Sequence, residues 1–273
     1  MEPTELVRRC GDVVQEFDHR SQDSGNVAWL VQTPRSRFFV KTAGRPGPPP
    51  PGAPTPYLDH AGRVALLRNA VAVAGSCDHI ALPRLLNVIE SPLGPALVYE
   101  AVDGELVGTD RSSRSDPTTA YQRLARLPAD DLLGVFDTLI DLHVSLAQEG
   151  WVAVDLYDGC LIVDFSTTAL KVVDLDSYRR GATTNDMGRM FGATRFMAPE
   201  EFALGAPIDQ RTTVFTLGRL VRHFGTRLSE ELDEFCGPPD LASIVGRATS
   251  PDRDDRYADV AKFAGEWFRA RTP

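Results

Sequence analysis

Ala153-Val-Asp155-Leu-Tyr157-Asp-Gly-Cys160-Leu-Ile-Val163 is followed, after six residues, by Leu170-Lys-Val-Val-Asp174-Leu-Asp176. The two apolar β-branched runs, Leu161-Ile-Val163 and Leu170-Lys-Val-Val173, read as a short hairpin. Asp155 stands before its first strand and Asp174 after its second, so the hairpin geometry can bring both carboxylates to one cleft mouth. Carboxylate oxygens are the hard ligands that Mg²⁺ prefers. Either residue taken alone also suits a solvated turn aspartate.

The flanks of this hairpin differ in kind. C-terminal to Asp103 the pattern is helical over 117–126 and 129–149. The second segment places Leu132, Leu133, Phe136, Leu139, Ile140, His143 and Leu146 on one face and ends at Gly150. Further helices are expected from Glu200, over 213–223 and over 257–269. N-terminal to Asp103 the pattern is strand-rich. Strands are predicted at 27–33, 37–42, 81–89 and 96–99, with one helix at 59–75 carrying Val64, Leu67, Val71 and Ala74. Residues 44–56 hold seven prolines and read as an exposed polyproline-like insertion. The expectation is an α+β, bilobal chain: a β-rich lobe at 1–102 and a helical lobe at 103–273.

Composition narrows the functions. The 273 residues carry a formal charge of −9, which disfavours a nucleic-acid partner. No eighteen-residue apolar run or signal-type h-region is present, so no membrane association is expected and the expected compartment is the cytoplasm. Cys10, Cys77, Cys160 and Cys236 form no CxxC pair, which argues against a structural zinc or a disulfide framework. Three lysines stand against 26 arginines, an Arg-heavy, Ala-rich usage that fits a GC-rich bacterial genome. A lysine retained in such a chain, Lys41 among them, invites a chemical reason, because a compact ammonium is not a planar guanidinium.

The order of motifs from about residue 15 to about 269 resembles that of protein kinases. Phe39-Val-Lys41 resembles the strand bearing the ATP lysine, and Val98-Tyr-Glu100-Ala-Val102 the hinge. Ala153-Val-Asp155 resembles the catalytic loop, and Val173-Asp174-Leu-Asp176 the magnesium triplet. Gly192-Ala-Thr-Arg-Phe-Met-Ala198-Pro199-Glu200 resembles the end of the activation segment, and 252–256 the late motif whose Arg256 pairs with Glu200. The resemblance implies ATP and Mg²⁺ as cofactors, with the nucleotide between the lobes. It implies Asp155 and Lys41 as catalytic residues, and Gly25, Val27, Lys41, Tyr99, Glu100 and Val102 as the ATP-binding set. It implies Asp174 as the metal ligand with Asp176 beside it, and Cys160 where the second metal ligand usually stands. A protein substrate or binding partner is implied as well.

Several positions depart from the family pattern. Asp23-Ser-Gly25-Asn-Val27 has one glycine where three are usual. Ala153-Val154 replaces His-Arg, Tyr157 replaces the catalytic-loop lysine, and Cys160 replaces the asparagine. A thiol is a soft ligand, so a second metal site of the usual build is not expected. Asn69 or Ala70 occupies the place of the helix glutamate, Ala193 that of a threonine, and Thr213 that of the aspartate anchoring the catalytic loop. Thr183, Thr184 and Thr194 could accept phosphate, but without the arginine before Asp155 little activation by it is expected. Three functions follow: an atypical Ser/Thr protein kinase, a pseudokinase acting as a binding or scaffolding module, and a small-molecule phosphotransferase on the same fold.

Overall fold

A computed structural model describes residues 5, 7, 8 and 11–272. The fold is α+β, β-rich in its N-terminal region and helical in its C-terminal region. It divides into two compact units. The first runs to Gly75 and resumes over Pro83–Val102, and the second holds Ser76–Leu82 and everything from Asp103.

The first unit is built on an antiparallel sheet of β1 (Asp12–Phe17), β2 (Val27–Gln32), β3 (Arg37–Thr42), β4 (Leu85–Ile89) and β5 (Ala96–Glu100), in the order β1-β2-β3-β5-β4. The strand β1 was not among those expected. It lies at the sheet edge with nearly every residue exposed, so Asp-Val-Val-Gln-Glu carries none of the alternation that marks a half-buried strand. The strand expected at 81–89 begins only at Leu85, because Leu82 N–H closes a turn on the His79 carbonyl and Pro83 follows.

Helix α1 (His60–Ser76) covers one face of this sheet. Its Val64, Leu67, Ala70 and Val71 pack with Ala43 and Leu97, while Trp29, Val31, Val40 and Ala96 form a second cluster. The insertion at 44–56 is mostly exposed, yet its ends are fixed. Arg63, buried on α1, donates to the carbonyls of Ala43 (2.8 Å), Leu58 (2.9 Å) and Arg45 (3.0 Å). Pro56 presses on Gly25, where an added Cβ would come within 2.6 Å of its ring and where φ is +77°.

The second unit is organised on α3 (Ala129–Gln148), which follows α2 (Ala120–Ala125). All seven residues of the predicted apolar stripe of α3 are buried, His143 included. Beside it lie β6 (Glu105–Leu106), β8 (Leu161–Asp164) and β9 (Ala169–Val172) in one three-stranded sheet, so the expected hairpin is present. Two-residue strands pair β7 (Trp151–Val152) with β10 (Arg179–Arg180) and β11 (Thr183–Thr184) with β12 (Pro207–Ile208). The unit closes with α4 (Gln210–Gly225), α5 (Pro239–Ala248) and α6 (Val260–Arg271).

Two expectations need correction here. The helix expected from Glu200 is a single 3-10 turn, Pro199–Phe202, ended by the extended Ala203. Helix α5 was not singled out, although Leu241, Ile244, Val245 and Ala248 repeat at helical spacing and Pro239 opens it.

Replacing Arg63 by methionine should cost about 2–4 kcal/mol, because three carbonyls lose a charged donor. Urea unfolding measures this, and chymotrypsin should then nick the chain faster at the exposed Tyr57. Unchanged stability and unchanged nicking would contradict the stapling role.

Candidate functional site

The hairpin carries the two candidate carboxylates at its open end. Asp155 follows β7 with φ +63°, and Asp174 follows β9 with φ +65°. The left-handed region is disfavoured for residues with a Cβ, though aspartate tolerates it better than most. Such conformations persist where the surroundings over-determine them.

Those surroundings come from three directions. Thr213, on the first turn of α4, accepts a hydrogen bond at its hydroxyl from Ala153 N–H at 2.9 Å. Gln210, on the same turn, donates to the Trp151 carbonyl at 2.8 Å. Cys160 stitches the two junctions together: its thiol donates to the Asp155 carbonyl (3.3 Å) and its own carbonyl accepts from Val173 N–H (2.8 Å). Below them, His143 donates from Nδ1 to the Leu139 carbonyl (2.7 Å) and accepts at Nε2 from the Tyr178 hydroxyl (2.8 Å). Burial lowers the His143 pKa to about 4, so the neutral ring holds this tautomer. It acts as a core histidine.

Electrostatics report which groups gather. Burial raises the Cys160 thiol pKa first, and the charges of Asp174, Asp155 and Asp176 raise it further. Burial likewise raises that of Tyr157, followed by Cys160, Asp155, Asp174 and Asp158. The structure therefore brings Asp155, Asp174 and Asp176 within electrostatic reach of one thiol. A thiol kept neutral and engaged with a carbonyl is a poor Mg²⁺ ligand, in keeping with its softness. Among the described residues no group of three or more His, Cys, Asp or Glu side chains could hold a metal ion by itself. Mg²⁺ commonly takes one or two protein carboxylates and fills its remaining positions with phosphate and water, a demand that Asp174 with a neighbouring aspartate fits.

The candidates of the first unit sit on its sheet. Lys41 faces Ala28 across β2 and Leu97 across β5. Leu97 packs under α1 with Leu67 and Tyr99, so Lys41 emerges on the face that α1 covers. Val27 pairs with Thr42 and belongs to the opposite face, packed against Trp29, Val31 and Val40. Ala28 is thus the β2 residue that shares a face with Lys41. Glu100 accepts from Arg84 N–H and Nε at 3.1 and 2.9 Å, and Val102 ends the unit.

Glu200 is a heavily bonded carboxylate of the second unit. Arg256 donates to both of its oxygens (2.7 and 3.1 Å), and Arg253 and Thr212 each donate to Oε1 at 2.9 Å. Burial pulls its pKa up, but these donors hold it below the ordinary value. Sequence reading named Arg256 and missed Arg253, which lies three residues before it in the same turn. It also missed the neighbouring Glu201, which is buried and accepts from Ala198 N–H at 2.6 Å. Two further cations stand by the threonines: Arg179 donates to Thr183 Oγ1 (3.4 Å) and Arg189 to Thr194 Oγ1 (3.3 Å). The region thus has cationic groups that the missing arginine before Asp155 did not reveal.

Glu201 and His143 predict a pH dependence. Burial raises the Glu201 pKa from 4.5 to about 8, so the native state holds a proton that the unfolded chain releases. That contribution is complete below pH 4.5 and is lost as pH rises through 8. His143 acts oppositely, costing stability as pH falls from 6.5 toward 4. Above pH 6.5 Glu201 acts alone of the two, and wild-type stability should fall by about 2 kcal/mol by pH 8. Glu201→Gln should flatten that slope in urea unfolding, and a slope unchanged in the variant would contradict the assignment.

No family model matches the chain. A stretch of 98 residues is 26% identical to Serine/threonine-protein kinase 1 of African swine fever virus, in isolates Tick/South Africa/Pretoriuskop Pr4/1996 and Warthog/Namibia/Wart80/1980 and in strain Badajoz 1971 Vero-adapted. The stretch covers 36% of this chain and 33% of the viral protein, so the match spans about a third of the relatives' length. The chain has a distant, partial likeness to a Ser/Thr protein kinase. No helix of the described residues is long and apolar enough to cross a membrane.

Proposed function

We propose that the chain is an ATP-dependent phosphotransferase that acts on Ser or Thr hydroxyls of a protein. The observation that carries this reading is the pair of left-handed aspartates at the open end of the β8–β9 hairpin, held there by Thr213 and Cys160. The distant likeness to a viral Ser/Thr protein kinase supports it.

In this reading Asp155 accepts the proton of the incoming hydroxyl and fixes its line of attack. Asp174 holds Mg²⁺, with Asp176 available beside it. Lys41, an ammonium on a thin stem, binds donor phosphate oxygens. Bound Mg²⁺ neutralises charge on the phosphates, and the rest of the work is positioning, which is what phosphoryl transfer chiefly requires. Gly25 offers backbone N–H groups to phosphate. Backbone at Tyr99, Glu100 and Val102 meets the adenine edge.

One observation favours a second reading. Cys160 is buried and its thiol is spent on the Asp155 carbonyl, so the usual second metal ligand has no substitute at that position. A pseudokinase that binds nucleotide without turning it over would tolerate this.

Phosphate transfer from radiolabelled ATP to serine and threonine peptides decides between the two. The active reading expects Mg²⁺-dependent transfer that Asp155→Asn lowers by about 100-fold or more in kcat with little change in the KM for ATP. It expects Asp174→Asn and Lys41→Met to weaken Mg·ATP binding itself. Nucleotide binding without transfer to any acceptor would favour the pseudokinase, and transfer indifferent to all three substitutions would refute the assigned roles.

A further inference from the structure

Three arginines of the second unit gather at a buried Tyr121–His223 pair with Arg114 in electrostatic reach, in a chain whose overall charge is −9. The Tyr121 hydroxyl meets His223 Nε2 at 2.6 Å. The charges of Arg195 and Arg114 both act on that tyrosine, as do those of Asp158 and Glu230. Arg219 and Arg222 reach the same place from α4. Arg219 donates from Nε to the Arg195 carbonyl (3.0 Å) and pairs with Glu230 (3.0 Å), and Arg222 donates to the Glu230 carbonyl (2.9 Å).

The local charge does not balance. Arg195 is paired with Asp158 at 2.7 Å, and Glu230 serves Arg219, Arg222 and His223 together. Three guanidinium groups and His223 thus share two carboxylates, and Arg114 adds a further cation within electrostatic reach. Hydrogen bonding is incomplete too: Nε of Arg195, Nε of Arg114 and Oε2 of Glu230 are buried without a hydrogen-bond partner among the described residues. Buried donors of a charged group are normally satisfied, and leaving them unmet is costly. The side chains of Arg195, Arg219 and Arg222 nevertheless reach solvent, at 27%, 21% and 25% exposure. A cationic cluster whose planar guanidinium groups are partly exposed is what a carboxylate or phosphate group recognises.

We propose that this cluster is an anion subsite that takes an acidic or phosphorylated side chain of the acceptor polypeptide. The proposal rests on the phosphotransferase reading for its orientation. Arg195 is held by Asp158, three residues beyond Asp155, so a chain whose hydroxyl lies at Asp155 would pass its neighbouring residues over Arg195. The subsite makes the acceptor class acidic, in contrast to the protein's own acidic surface, which would otherwise repel such a chain.

Fluorescence anisotropy of labelled serine peptides of one length tests it on the full chain. The serine is flanked in turn by glutamates, phosphoserines, glutamines and lysines. Glutamate and phosphoserine peptides should bind about tenfold tighter than the glutamine peptide, with the advantage falling as salt is raised. Arg114→Gln and Arg195→Gln should each reduce the advantage, and Arg269→Gln, on an exposed cation of α6, should leave it. Equal binding of the glutamate and glutamine peptides to the unaltered protein would overturn the subsite, and needs no variant to fold. So would an advantage that both cluster variants retain. Acidic peptides that bind by this pattern but are never phosphorylated would remove the enzymatic reading and leave the subsite standing.

Discussion

The buried ion pair between Glu200 and Arg256 is the constraint on which the candidate site depends. Their side chains are 3% and 0% exposed, so neither charge is offset by water. Removing one member of such a pair typically costs about 3–5 kcal/mol, because the other is left buried and uncompensated. Around it Arg253 adds a second guanidinium, itself shared with Asp209, the N-cap of α4. Thr212 adds a hydroxyl from the first turn of that helix. The pair therefore joins the 199–202 turn, the 250–256 segment and the start of α4.

That same helical turn faces the candidate catalytic loop. Gln210, Thr212 and Thr213 lie on one turn. The middle residue bonds Glu200, and the outer two bond the Trp151 carbonyl and the Ala153 amide. A short line of bonds thus runs from a buried charge to the residue two places before Asp155. It explains how aspartates can hold left-handed backbone at the hairpin's mouth: Thr213 fixes the loop from one side and Cys160 from the other. A threonine hydroxyl here serves where an aspartate was expected from the family pattern, with no buried charge to neutralise.

Much of this was legible in sequence where periodicity is strong. The α3 stripe, the β8–β9 hairpin and the strands β2 and β3 follow from apolar spacing, and each lies close to its predicted place. The edge strand β1 was illegible because it buries almost nothing. The turn at Pro199 was misread as a helix because a capping-type sequence, Pro-Glu-Glu, opens both structures alike. The face of Val27 was not legible: a shift of one residue moves a side chain to the other face, and composition cannot tell Val27 from Ala28. Long-range bonds such as Arg63 to the proline-rich insertion, or Arg253 to Glu200, leave no local mark at all.

Amide hydrogen exchange at Ala153 tests most directly whether the Glu200 ion pair reaches the candidate loop through α4. Under native conditions Thr213→Val should speed that amide about tenfold, the loss of one buried hydrogen bond. Glu200→Gln, which alters the charge but not the loop, should also speed it. Faster exchange around residues 199–202 in Glu200→Gln with Ala153 as protected as in the unaltered protein would contradict the account, and would separate the ion pair from the site.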